Sequence, residues 1–136
     1  MLTMKELDEP SRLSRAIADK TERLVNMKYF ARVGGEFSAA KEKKIADLER
    51  ELHEMCGKHR IMRKKVVDFV DSIEDSKTRQ IFNYRYVRGM SWRAVASMLG
   101  HDSCGSAERK LASRYMKKIG NGAESAAYDK EGVGLR

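Results

Sequence analysis

A heptad seam constrains this chain more than any other feature. Ile45, Leu48, Leu52, Met55, His59, Met62, Val66, Phe69 and Ile73 follow one another at alternating spacings of three and four. That pattern puts all nine on one face of an α-helix and sustains the face for four heptads. At ~1.5 Å per residue, a helix over 41–73 is a rod of about 50 Å. Gly57 falls on its outer face, where it costs about 1 kcal/mol without breaking the helix. A rod with one apolar stripe needs a partner. Composition agrees with helices bearing long solvated faces: one proline, 7% aromatic and 35% charged residues do not suit a strand-rich sandwich. The expected fold class is all-α.

The partner of the seam is sought first within the chain. Leu13, Ile17, Leu24, Met27 and Ala31 give residues 11–32 a helical pattern, interrupted at Lys20 and Thr21. Ser11, after Pro10, is the expected N-cap. Gly34 and Gly35 within Val33–Ser38 read as a turn, and Ser38 as the cap of the next helix. A parallel homodimer along the seam would set Lys44 against Glu49, Glu51 against Cys56, Lys58 against Arg63 and Lys65 against Val70. Only the first of these attracts and one repels, so an antiparallel hairpin is the better solution. Helix one is the shorter by about ten residues, which leaves part of the seam for the basic domain or another subunit. A homo-oligomer, with a dimer favoured, is expected.

Charge divides the chain sharply. The net charge is +8, yet residues 1–36 carry +1, residues 37–75 carry zero and residues 121–136 carry −1. The excess lies in residues 76–120, with ten basic side chains against two acidic ones. A local field of that sign attracts a polyanion, and double-stranded DNA is the expected partner. Within this segment Asp75 or Ser76 caps a helix carrying Ile81, Phe82, Tyr84 and Tyr86, which ends at Gly89. Ser91 caps a short helix with Trp92, Val95, Ala96, Met98 and Leu99, ended by Gly100. Ser103 caps the last helix, over about 103–119. Ala96 supplies the small side chain that a steep helix crossing needs, and Gly100 the residue that tolerates positive φ. The pair reads as a helix-turn-helix. The resulting organisation is a helical hairpin over 1–75, a helix-turn-helix domain over 76–120 and a disordered tail over 121–136.

Projected at ~100° per residue, the last helix separates into two faces. Cys104, Ala107, Leu111 and Tyr115 are expected to point inward, and Ser106, Arg109, Lys110, Ser113 and Lys117 outward. Ser106, Arg109, Lys110 and Ser113 are the candidates for base edges. Arg85, Arg88, Arg93, His101, Arg114 and Lys117 are the candidates for phosphates.

The run Ile73–Gly100 resembles the sigma-factor region-four type of helix-turn-helix, through Ile73, Arg79, Ile81, Arg85, Tyr86, Gly89, Ser91, Trp92, Val95, Ala96, Leu99 and Gly100. More closely, it resembles small phage proteins of the RinA/ArpU late-regulator type, which also place a charged helical region ahead of the domain. The specific resemblance covers about 45 residues; the N-terminal part matches in character only. It implies a phage or prophage transcription regulator that binds promoter DNA and touches RNA polymerase. The recognition helix departs from that pattern. His101–Tyr115 carries one extra residue, and Gly105 and Ala107 weaken the helix start.

Other chemistry finds little support. His53, Cys56 and His59 lack a fourth ligand, and His59 is a seam residue, so no metal is expected. The chain has no phosphate-binding glycine loop, HExxH, CxxC pair or nucleophile elbow, so neither an enzyme nor a cofactor is expected. No apolar stretch reaches membrane length and the start has no apolar core, so neither a span nor a secretory signal is expected. Two lone cysteines suit the bacterial cytoplasm. Two alternatives to a regulator remain. One is a small-terminase-like DNA-packaging protein, built as a ring. The other is a protein-interaction module that binds RNA polymerase or another protein through the seam.

Overall fold

The computed structural model describes residues 2–33 and 39–131, with residues 121–131 as main chain. All regular structure among these residues is helical, and the chain is all-α: α1 (Met4–Val33), α2 (Ala39–Asp71), α3 (Ser76–Phe82), a π-helical turn (Asn83–Val87), α4 (Trp92–Met98) and α5 (Ser106–Glu131). The Gly34–Gly35 turn and the Ser38 cap lie outside the described residues. Two compact units are formed. One joins Met1–Leu7 to the chain from Val66 onward, and the other is Asp8–Lys65.

Helix α1 starts earlier than its periodicity suggests, because Thr3 and Glu6 make a capping box. Thr3 Oγ1 accepts from the Glu6 amide at 3.2 Å, and Glu6 Oε1 accepts from the Thr3 amide at 3.3 Å. Ser11 is therefore inside the helix and caps nothing, and Pro10 is also internal. An internal proline costs an isolated helix about 3 kcal/mol. The cap and the burial of Leu7, each worth roughly 1–3 kcal/mol, act against that cost on the turn just before it.

In the unit Asp8–Lys65, α1 and α2 run antiparallel with the apolar stripes facing. Leu48 and Ala31 are buried, while Ile45, Leu52, Met55, His59 and Met62 on α2 and Leu13, Ile17, Leu24 and Met27 on α1 are half-buried; Ala31 lines a hollow with Ile45, and Met27 one with Leu48. The interruption at Lys20 and Thr21 has a local cause. Lys20 Nζ reaches Glu51 Oε2 at 2.7 Å, and the Thr21 hydroxyl donates to the Ile17 carbonyl at 2.7 Å. The Lys20 bond holds the Glu51 carboxyl below its ordinary pKa. Lys28 Nζ meets Glu49 Oε1 at 3.1 Å. These pairs are open to solvent, so they set register more than stability.

The second unit has the larger core. Leu7, Val66, Val70, Ile73, Phe82, Tyr86, Ala112 and Met116 form one buried cluster, with Leu2, Met4, Phe69, Val87, Trp92, Tyr115 and Ile119 packed against it. The end of the heptad seam therefore belongs to the helix-turn-helix core, and so does the N-terminus. The boundary falls at Val66 rather than after residue 75. Two arginines fasten the turns: Arg79 Nη1 donates to the Ile73 carbonyl at 2.8 Å, and Arg85 Nη1 to the Met90 carbonyl at 2.9 Å. Asp75 caps α3, accepting from the Thr78 amide at 2.9 Å, and Ser91 Oγ caps α4 from the Ala94 amide at 3.2 Å. Helix α5 carries helical backbone through Glu131, so the segment read as a tail begins as its continuation.

Three glycines test this packing. A Cβ on Gly57 meets nothing within 4 Å. On Gly105, a Cβ would collide with the Trp92 carbonyl and lie 2.8 Å from the Trp92 Cβ, at φ +87°. Thermal melts followed by circular dichroism should show Gly57→Ala more stable by about 1 kcal/mol and Gly105→Ala less stable by ~2 kcal/mol or more. Gly105→Ala melting with the parent would contradict the close approach. Gly100 is the third, at φ +83°, and belongs to the turn described next.

Candidate nucleic-acid interface

Helix α4 ends in a Schellman motif. The His101 amide returns to the Ala96 carbonyl at 2.8 Å and the Gly100 amide to the Ser97 carbonyl at 3.0 Å. Ala96 is fully buried, as a steep crossing of α4 and α5 requires. Residues 101–105 then carry the chain to α5. Ser103 does not open that helix as its cap: its hydroxyl accepts from the Gly105 amide at 3.3 Å, and α5 begins at Ser106, with the Gly105 carbonyl accepting from the Arg109 amide. The turn ends at Gly105, whose missing side chain lets α5 start against the backbone of Trp92. What reads as a weak helix start is a close-packing site.

The later start rotates the buried face of α5. Cys104 and Ala107 are exposed, Leu111 and Tyr115 are half-buried, and Glu108, Ala112 and Met116 are buried. The expected inward set is thus corrected by part of a turn. The outward set keeps its place: Ser106, Arg109, Lys110, Ser113 and Lys117 are all exposed, and so is Arg114. Ser106, Arg109, Lys110, Ser113 and Arg114 line one shallow hollow. Arg93, Ser97, Gly100, His101, Asp102, Ser103 and Cys104 line another, at the turn.

Arg85 does not join these residues. Besides its bond to Met90, its guanidinium lies over the Trp92 ring at 5.0 Å, so it holds the joint between the π-helical turn and α4. Arg88 is exposed, with its guanidinium 5.4 Å from the Tyr84 ring centre.

Glu108 escapes a sequence reading. It is 3% exposed, and its Oε1 accepts from His101 Nδ1 at 3.0 Å. Its Oε2 is buried without a hydrogen-bond partner. The available signal is an acidic residue at the third position of a helix, where the helix dipole favours it. One of the two carboxylates of residues 76–120 is therefore withdrawn from the surface, leaving Asp102 as the exposed one.

The His101 hydrogen bond holds the Glu108 carboxyl below its ordinary pKa, against the burial that pushes it up. A carboxyl lowered on folding adds stability above its unfolded pKa and loses it as pH falls through the folded value. Between about pH 5 and pH 3, stability of Glu108→Gln should therefore fall less steeply than that of the parent chain. Denaturant melts across that range check this, and parallel slopes would contradict it.

Cys104 is exposed, and its thiol is held below its ordinary pKa by the Ser106 amide and hydroxyl, with a smaller contribution from the charge of Arg93. His53 and Cys56 are exposed and His59 is half-buried in the seam; among the described residues no group of three such side chains could hold a metal ion. No helix among the described residues is long and apolar enough to cross a membrane. The chain matches no protein-family model, no curated protein and no solved structure.

Proposed function

We propose that this chain is a DNA-binding transcription regulator of phage or prophage origin, with α5 as its recognition helix in the major groove. The observation that carries the proposal is the coincidence of two independent features. The charge excess is confined to residues 76–120, and within the same residues α4 and α5 are joined by a turn that opens on Gly100 at positive φ. Either feature alone is common.

On this reading Ser106, Arg109, Lys110 and Ser113 face base edges from the first turns of α5. Arg109 has the planar fork that pairs with guanine O6 and N7, and Lys110 contributes a less directional contact. Arg93, Arg114, Lys117, His101 and Arg88 are placed for phosphates, while Arg85 acts by holding the fold. A regulator of this kind works at a promoter, where RNA polymerase is the protein partner.

Neutralising about six phosphates gives a log–log salt slope of roughly −5. Fluorescence anisotropy with duplex DNA across a salt series measures that slope, and affinity indifferent to salt would contradict the electrostatic basis. Arg109→Ala with Lys110→Ala should weaken binding at least tenfold, about 1.4 kcal/mol, with helix content unchanged. Unchanged affinity would contradict the assignment of this face. Selection of bound fragments from random duplexes then separates a regulator, which enriches a sequence, from a DNA-packaging protein or a protein-interaction module.

A further inference from the structure

Four of the five large apolar side chains exposed in the unit Asp8–Lys65 are grouped on the second half of α1: Val25 at 59% exposed, Tyr29 at 59%, Phe30 at 68% and Val33 at 66%; the fifth, Ile61, stands singly on α2. Val25, Tyr29 and Val33 are spaced by four, one above another on a helix. Their side is opposite to that of Leu24, Met27 and Ala31, which face α2. The Tyr29 and Phe30 rings touch edge-on, with centroids 5.6 Å apart. This part of α1 is therefore apolar on two opposite sides, one toward α2 and one left open, and an open apolar patch of this kind calls for a partner.

We propose that this back face is a dimer interface occupied by the same face of a second copy, packed antiparallel with Tyr29 on the two-fold axis. The inference does not rest on DNA binding. Three observations lead to it. The order Val25–Tyr29–Val33 is symmetric about its middle, which is what a self-complementary two-fold contact uses and what a different protein would not require.

Charge then selects direction. Between residues 25 and 33 the only charged side chains are Lys28 and Arg32. A parallel pairing sets each of them against its own copy. The antiparallel one sets Val25 against Val33, Asn26 against Arg32 and Lys28 against Phe30, with no like charges opposed. Area is the third observation. The four side chains leave on the order of 400 Å² open per copy, the upper end of what a monomer exposes in one patch. Two copies would bury about 800 Å² of apolar surface before their polar rims are counted, which is within reach of a standard interface of ~1,600 Å².

The interface expected from the sequence was the uncovered part of the α2 seam. Along Ile45–Met62 that seam is buried or half-buried, so the grouped open apolar surface is on the other helix, with Ile61 exposed singly on α2. Sedimentation velocity on the full chain without DNA tests the proposal. The parent should sediment at twice the chain mass, and Tyr29→Asp should raise the dissociation constant at least roughly tenfold with helix content retained. A parent at single-chain mass, or a dimer indifferent to Tyr29→Asp, would overturn it.

A second measurement is independent of that variant's folding. In a Cys56→Ser, Cys104→Ser background, Tyr29→Cys should form a disulfide-linked dimer on mild oxidation, because the axis brings the two copies of residue 29 together. A dimer that persists without crosslinking would overturn the antiparallel register. Loss of DNA affinity alone, with the dimer intact, bears on the proposed function and leaves this interface standing.

Discussion

The approach of Gly105 to the main chain of Trp92 is the contact on which the helix-turn-helix depends. It brings the first turn of α5 against the first turn of α4 at a distance that no other residue permits. The Schellman turn at Gly100 aims the chain toward it, and the His101–Glu108 bond closes the loop between them. Buried Ala96 completes the same joint from the middle of α4. If this corner opened, the exposed side of α5 would lose its direction, and with it the alignment of Arg109, Lys110 and Ser113.

One long seam serves two cores. From Ile45 to Met62 its residues face α1 within the unit Asp8–Lys65, while Val66, Phe69 and Ile73 enter the core of the helix-turn-helix unit. The heptad pattern shows no break at that change of partner, because an α-helix presents the same stripe to whatever covers it. This is why the all-α class, the seam and the N-caps at Asp75 and Ser91 are legible in the sequence, whereas the unit boundary is not. The N-terminus shows the same limit. Pro10 suggests a helix start at Ser11, but Thr3 and Glu6 start it earlier, and Leu7 is buried in the helix-turn-helix core.

The candidate interface is legible for the residues that periodicity governs and obscure where backbone geometry decides. The exposed set Ser106, Arg109, Lys110, Ser113 and Lys117 follows from helical spacing. The inward set does not, because a positive φ at Gly105 delays the helix start and turns Glu108 inward. Arg85 and Arg93 are equally basic in sequence. Only the fold separates the first, held over Trp92, from the second, which lines the turn hollow. Charge counted along the chain locates the basic segment, and only the fold shows that Glu108, one of its two carboxylates, is buried.

Backbone amide shifts of the isotope-labelled full chain, followed as duplex DNA is added at low salt, locate the DNA directly. The largest displacements should fall at Arg93, at His101 and along residues 106–117, with residues 8–65 little changed. Displacements concentrated in residues 8–65, or none on α5 at saturating DNA, would contradict the proposal that α5 enters the groove.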